Sequence, residues 1–205
     1  MTANLRRHRL KSIWLHWVVA STAGATTLVN WVLLLDWLCP NPQLLAIVFL
    51  WASVLAVFGG LGYGQQLILQ SAGVRAKRWA LASLGGGFAG AFFAYLSGGF
   101  MSSLIGPYLN FWETITFSLL AASLSFGIVL GVVQYAAVGG SNWRHFFWTV
   151  SSGLGMVSGV ATVLASEFMV PSPVVRSLLF GGAYGIVTGT TLAIFLAQRT
   201  TKDDA

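Results

Sequence analysis

The sequence predicts an all-α membrane protein with six transmembrane helices arranged as three pseudo-repeated hairpins. Three observations carry the prediction. Charge is scarce, six apolar runs are each long enough to cross a bilayer, and a short Trp, Ser, Gly skeleton opens three of those runs.

Of 205 residues, 11 are Lys or Arg and five are Asp or Glu, so 8% of the chain is charged while 56% is hydrophobic. A soluble domain covers its surface with about 25% charged residues. Mean hydropathy is +0.77, and most of the exterior must therefore face lipid. The net charge of +6 does not indicate nucleic acid, because the basic residues sit in short flanks between apolar runs and leave no soluble basic domain to hold a duplex. The expected surroundings are the lipid bilayer and other membrane protein subunits, with no nucleic acid. Cys39 is alone, which rules out an intramolecular disulfide.

The apolar runs cover 13–35, 44–69, 79–97, 114–138, 146–166 and 174–197. At about 1.5 Å per residue each spans a hydrocarbon core, and continuous apolarity without alternation requires helices rather than barrel strands. The first run follows "RRHRLK" in the manner of a secretory signal, yet its apolar stretch continues past "STAGA" to Leu35, so it is read as an uncleaved span. The domain plan is a basic tail at 1–12, one six-helix domain at 13–197 and a second tail at 198–205. Between the third and fourth spans, Phe100, Met101, Leu104, Ile105 and Tyr108 share one helical face, which predicts a short interfacial helix ended by Gly106-Pro107.

Alternation of six spans places Arg6, Arg7, Arg9, Lys11, Arg75, Lys77, Arg78, Arg144, Arg199 and Lys202 on one side and only Arg176 on the other. By the positive-inside rule both termini are cytoplasmic, in a bacterial inner or thylakoid-type membrane. Asp36, Glu113 and Glu167 fall in the connections on the opposite side.

The skeleton consists of Trp17, Ser21 and Gly24 in the first span, Trp79, Ser83 and Gly86 in the third, and Trp148, Ser152 and Gly155 in the fifth. Steps of four and three residues place each set on one helical stripe. The even spans carry a second stripe. It comprises Gly127, Gly131 and Gln134 in the fourth span, Gly185 and Thr188 in the sixth, and a looser version ending at Gln66 in the second. The repeating unit is an even span, a basic turn and an odd span, and pairing the sixth span with the first closes three hairpins into a ring. Small residues allow backbones to approach where lipid removes the hydrophobic drive, and the Ser, Gln and Thr side chains supply bonds across helices. The Trp residues are expected at the cytoplasmic headgroup level.

On these residues the chain resembles a loose group of uncharacterised bacterial multi-pass membrane proteins with repeats of Gly-x3-Gly-x2-Gln followed by a Trp-led helix. The resemblance covers most of spans two to six, and it implies the repeat without implying an activity.

No Asp, Glu, Lys or Arg lies in the middle of a span, which argues against a carboxylate proton relay. No catalytic residues, metal-ligand spacing or phosphate loop are recognised, and an enzyme is not expected. His16 and His145, at the cytoplasmic ends of the first and fifth spans, are the candidate cofactor-binding residues for a pigment or haem, with headgroup contact as their simpler role. The cofactor itself is left unspecified. The expected function is that of a non-catalytic accessory or assembly subunit of a larger membrane complex, with lipid or pigment binding. The alternative is a small-molecule transporter subunit of the vitamin-carrier kind.

Overall fold

The computed structural model describes residues 3–38, 45–138, 142–167 and 169–203. Within them the chain forms six helices: α1 (Ala3–Leu38), α2 (Leu45–Ser71), α3 (Trp79–Ile105), α4 (Phe111–Val138), α5 (Asn142–Ser166) and α6 (Pro173–Asp203). Among the described residues, four stretches are long and apolar enough to cross a membrane, namely Trp79–Ile105, Phe111–Val138, Phe146–Ser166 and Pro173–Gln198.

Each helix packs against its neighbours in the chain, and α1 also packs against α6, so the contacts close into a cycle. Every adjacent pair runs antiparallel. On α3 and α4, for example, Gly86 meets Leu130, Gly90 meets Phe126 and Gly98 meets Ala122. One end of the bundle gathers the start of α1, the α2–α3 turn and the end of α6. It is called the basic end here.

Local signals set the helix ends. α2 stops because Gly73 takes φ 79°, the left-handed region that glycine enters without a Cβ penalty. Val74 N then donates to Leu69 O and Gly73 N to Gln70 O, both at 2.9 Å, a Schellman closure that satisfies terminal carbonyls. α4 starts on a capping box: Glu113 N donates to Asn110 Oδ1 at 2.9 Å, and Asn110 N donates to Glu113 Oε2 at 3.1 Å, pairing two orphan donors. At the same end, Arg176 clasps the α5–α6 connection, donating to Val170 O at 2.7 Å and Glu167 O at 3.0 Å.

Residues 3–12 and 198–203 continue α1 and α6 as helix, since nothing in either flank breaks the backbone pattern. Two features differ from the sequence expectation. The separate interfacial helix is absent. α3 continues unbroken to Ile105, and Gly106 and Pro107 end α3 itself. The Trp residues of the skeleton also do not lie on the outside.

The buried apolar core lies toward the basic end. Trp17, Trp79 and Trp148 are packed there with Ile13, Leu69, Ala76, Tyr135, Leu192 and Leu196. Toward the other end the described helices bury mainly glycine and serine, such as Gly90, Gly159, Ser166 and Ser177.

The α1–α6 contact has a direct test. A Cβ built on Gly185 lies 3.0 Å from Ser21 Cβ, and one on Gly62 lies 2.6 Å from Ser83 Cβ, both shorter than the roughly 3.5–4.5 Å of a disulfide's Cβ pair, so a slight parting of the helices brings either pair into range. With Cys39 replaced by Ala, mild oxidation is expected to crosslink Ser21→Cys with Gly185→Cys as readily as Ser83→Cys with Gly62→Cys. Crosslinking of the second pair alone refutes closure of the cycle.

Candidate functional site

The Trp residues that open the three repeated stripes converge on the axis of the bundle. Trp17, Trp79 and Trp148 meet there in mutual edge-to-face packing, with ring centroids 6.0, 5.7 and 5.4 Å apart and interplanar angles of 69°, 84° and 71°. All three are at most 2% exposed. Edge-to-face geometry sets the positive ring edge against the negative face of the next ring and adds about 0.5–1.5 kcal/mol per pair beyond burial. The triad fills the axis near the basic end.

Beside it lies a polar layer. Trp17 Nε1 donates to Thr188 Oγ1 at 3.0 Å, joining α1 to α6, and Trp79 Nε1 donates to Gln65 Oε1 at 3.1 Å, joining α3 to α2. Gln134 Nε2 donates to Ser83 Oγ at 2.9 Å, joining α4 to α3. Ser21, Gln65, Ser83, Gln134, Ser152 and Thr188 are all buried. Each serine sits where a glycine of the preceding even helix, or of α6 in the case of α1, admits it. Gly62 faces Ser83, Gly131 faces Ser152 and Gly185 faces Ser21. A Cβ on Gly127 would collide with the backbone of Ser152 and Gly153. On the other side of the odd helices, Gly24 packs on Leu61, Gly86 on Leu130 and Gly155 on Tyr184.

Two side chains depart from the expected arrangement. Gln134 bonds Ser83 of the helix that precedes it, rather than a serine of the odd helix that follows it in the repeating unit. Gln66 is half-buried and accepts from Ala80 N at 3.1 Å, whereas Gln65 enters the axis and bonds the indole. Sequence reasoning missed Gln65, although the signal was present. Gln65 precedes Trp79 by 14 residues, and Gln134 precedes Trp148 by the same interval.

His16 is exposed, and its Nδ1 donates to Ser12 O at 2.6 Å. The side chain of His145 lies outside the described residues, so the pairing of these two candidates is not addressed. Among the described residues no three His, Cys, Asp or Glu side chains are grouped as a metal ion would need.

Chemically, the axis offers neutral hydrogen-bonding groups. The buried polar residues are Ser, Gln and Thr, with no carboxylate, imidazole, ammonium or guanidinium among the described ones. Ser21 Oγ, Gln65 Nε2, Gln134 Oε1 and Trp148 Nε1 are buried without a hydrogen-bond partner, while the Tyr184 hydroxyl faces the Ser152 side chain. Such groups suit neutral polar contact.

Two surface features complete the inventory. A groove of about 280 Å³ between α1 and α2 is lined by small residues including Ala20, Gly24, Gly60 and Gly64. Aromatic side chains crowd the α3–α4 hairpin away from the basic end, where Phe92, Phe93, Tyr95, Phe100, Tyr108, Phe111, Trp112 and Phe117 are all at least half exposed.

The chain matches no protein-family model, no curated protein and no solved structure.

Proposed function

We propose that the protein is a non-catalytic integral membrane protein that serves as an accessory or assembly subunit of a larger membrane complex. In this reading all six helices span the bilayer as three pseudo-repeated hairpins closed into a ring, with both termini cytoplasmic in a bacterial inner or thylakoid-type membrane. The even distribution of Trp, Ser and Gly around the axis supports the repeat, and the clustering of basic residues supports the orientation.

The observation that carries the subunit role is the aromatic face of α3 and α4. An interfacial belt confines aromatic residues to headgroup depth. Here the exposed rings begin at Phe92 and Phe93, 13 residues before α3 ends at Ile105, or roughly 20 Å along the axis. Rings running from mid-helix to the helix end exceed a belt and match the aromatic enrichment of protein interfaces. The same face suits a flat conjugated pigment held between subunits.

The test is purification of the tagged chain from its own membrane in mild detergent. A stoichiometric partner is expected, lost on Phe92→Ala with Phe93→Ala and Tyr95→Ala, while the melting temperature of the isolated chain stays unchanged. A visible absorbance band in that complex identifies a pigment. A reporter at the C-terminus that is active only on the non-cytoplasmic side should stay silent. A lone chain that instead catalyses solute uptake in proteoliposomes replaces this reading with the transporter alternative, which the partnerless buried polar groups of the axis favour.

A further inference from the structure

We infer that the α2–α3 turn is a binding site for the headgroup of an anionic phospholipid. The inference rests on the membrane reading and adds a defined lipid to it.

The turn carries three cations within four residues, Arg75, Lys77 and Arg78, all exposed. Together with Ala137 near the end of α4 they line a depression of about 590 Å³. Three like charges on one short turn concentrate positive potential at one place on the surface, which attracts an anion. The carboxylates whose side chains are described, Glu113 and Glu167, belong to the opposite end of the bundle, and neither can neutralise the turn.

The turn is also held in place. The Schellman closure at Gly73 fixes its start, and Trp79 N donates to Ala76 O at 3.1 Å at its end. Between Arg75 and Lys77, Ala76 is fully buried in the core around the indole triad. The chain therefore threads its cations around an anchored residue, and the backbone needs little further ordering to bind. Pre-organisation of this kind lowers the entropic cost of association.

Membrane position selects the ligand. The depression opens at the end of apolar helices, where the headgroups of the cytoplasmic leaflet lie in the proposed orientation. Basic pockets at such positions hold lipid phosphates, and a guanidinium presents a fork matched to phosphate oxygens. A free phosphate offers the same anion without acyl chains to lie along α3 and α4. A lipid is therefore favoured over a soluble anion.

The test uses the full chain purified in neutral detergent, stripped of lipid and examined by native mass spectrometry with added phosphatidylglycerol or phosphatidylcholine. One phosphatidylglycerol is expected to be retained at least about tenfold over phosphatidylcholine. Combined Arg75→Gln, Lys77→Gln and Arg78→Gln should abolish the preference. Lys11→Gln, which removes an exposed cation at the same end, should preserve it. Circular dichroism and melting establish that the triple variant is folded, and Arg78→Gln alone, expected to weaken retention several-fold, serves if it is not. Equal loss in Lys11→Gln overturns the site in favour of diffuse charge attraction. Displacement of the lipid by millimolar inorganic phosphate assigns the turn to a soluble anion, and absence of any preference overturns the site outright. Failure of the subunit role would leave these results unchanged, since no partner protein is present in the measurement.

Discussion

Gly127→Ala is expected to lower the melting temperature of the purified protein more than any other single methyl addition in the bundle. A Cβ at this position meets the backbone of α5, with Gly153 Cα 2.7 Å away and Ser152 O nearer still. A flexible side chain can swing aside from an added methyl, but backbone can yield only if α4 and α5 separate. Overpacking of this kind costs about 3 kcal/mol, or roughly 6–12 °C for a chain of this size. The control is Gly85→Ala. That glycine is on the exposed face of α3 with nothing within 4 Å of a built Cβ, and exchanging a helical glycine for alanine gains about 0.5–1 kcal/mol. One substitution should destabilise and the other stabilise, though both add the same atom to a helix. Equal melting of the two variants would show that α4 and α5 do not pack backbone to backbone.

The indole triad should give the second large effect, with an order that depends on hydrogen bonding rather than size. Trp79→Ala removes a fully packed ring, worth about 3–5 kcal/mol, and strands Gln65, whose Nε2 already lacks a partner. Trp79→Phe retains much of the edge-to-face packing but still strips Gln65 Oε1 of its donor, which costs about 1–3 kcal/mol. Trp17→Phe is expected to be milder, because Thr188 Oγ1 keeps its own bond to Tyr184 O at 2.9 Å. Trp148→Phe should be mildest. Its Nε1 is buried without a partner, and the substitution removes that unmet donor along with some volume. Thermal melts of the three Phe variants should fall in the order Trp79, Trp17, Trp148, from least to most stable. If Trp148→Phe proves as damaging as Trp79→Phe, the third indole is hydrogen-bonded and Gln134 is the acceptor nearest to hand in the repeat.

The apolar runs, the scarcity of charge and the three Trp-led stripes are properties of spacing and composition, and they were readable without coordinates. Helical period alone placed Ser21 with Gly24, Ser83 with Gly86 and Ser152 with Gly155 on common stripes. The same reasoning marked Gly131, Gly185 and Thr188 as contact residues, and each is now found against a neighbouring helix. Spacing says which residues share a face; it does not say which way that face points. An indole suits a headgroup interface and a hydrogen-bonded interior about equally well, so the inward turn of Trp17 and Trp79 depended on where Thr188 and Gln65 lay on other helices, and that of Trp148 on the two rings it packs against. Gln65 and Gln66 are adjacent and chemically identical, yet about 100° apart around the helix, and only the α2–α3 packing determined which of them met the ring. The continuation of α3 through residues 98–105 was decided in the same way. Its glycines and serines weaken a helix read in isolation, but Gly98 packs on Ala122 and Ser118 of α4, and contact with a neighbouring helix outweighs local propensity.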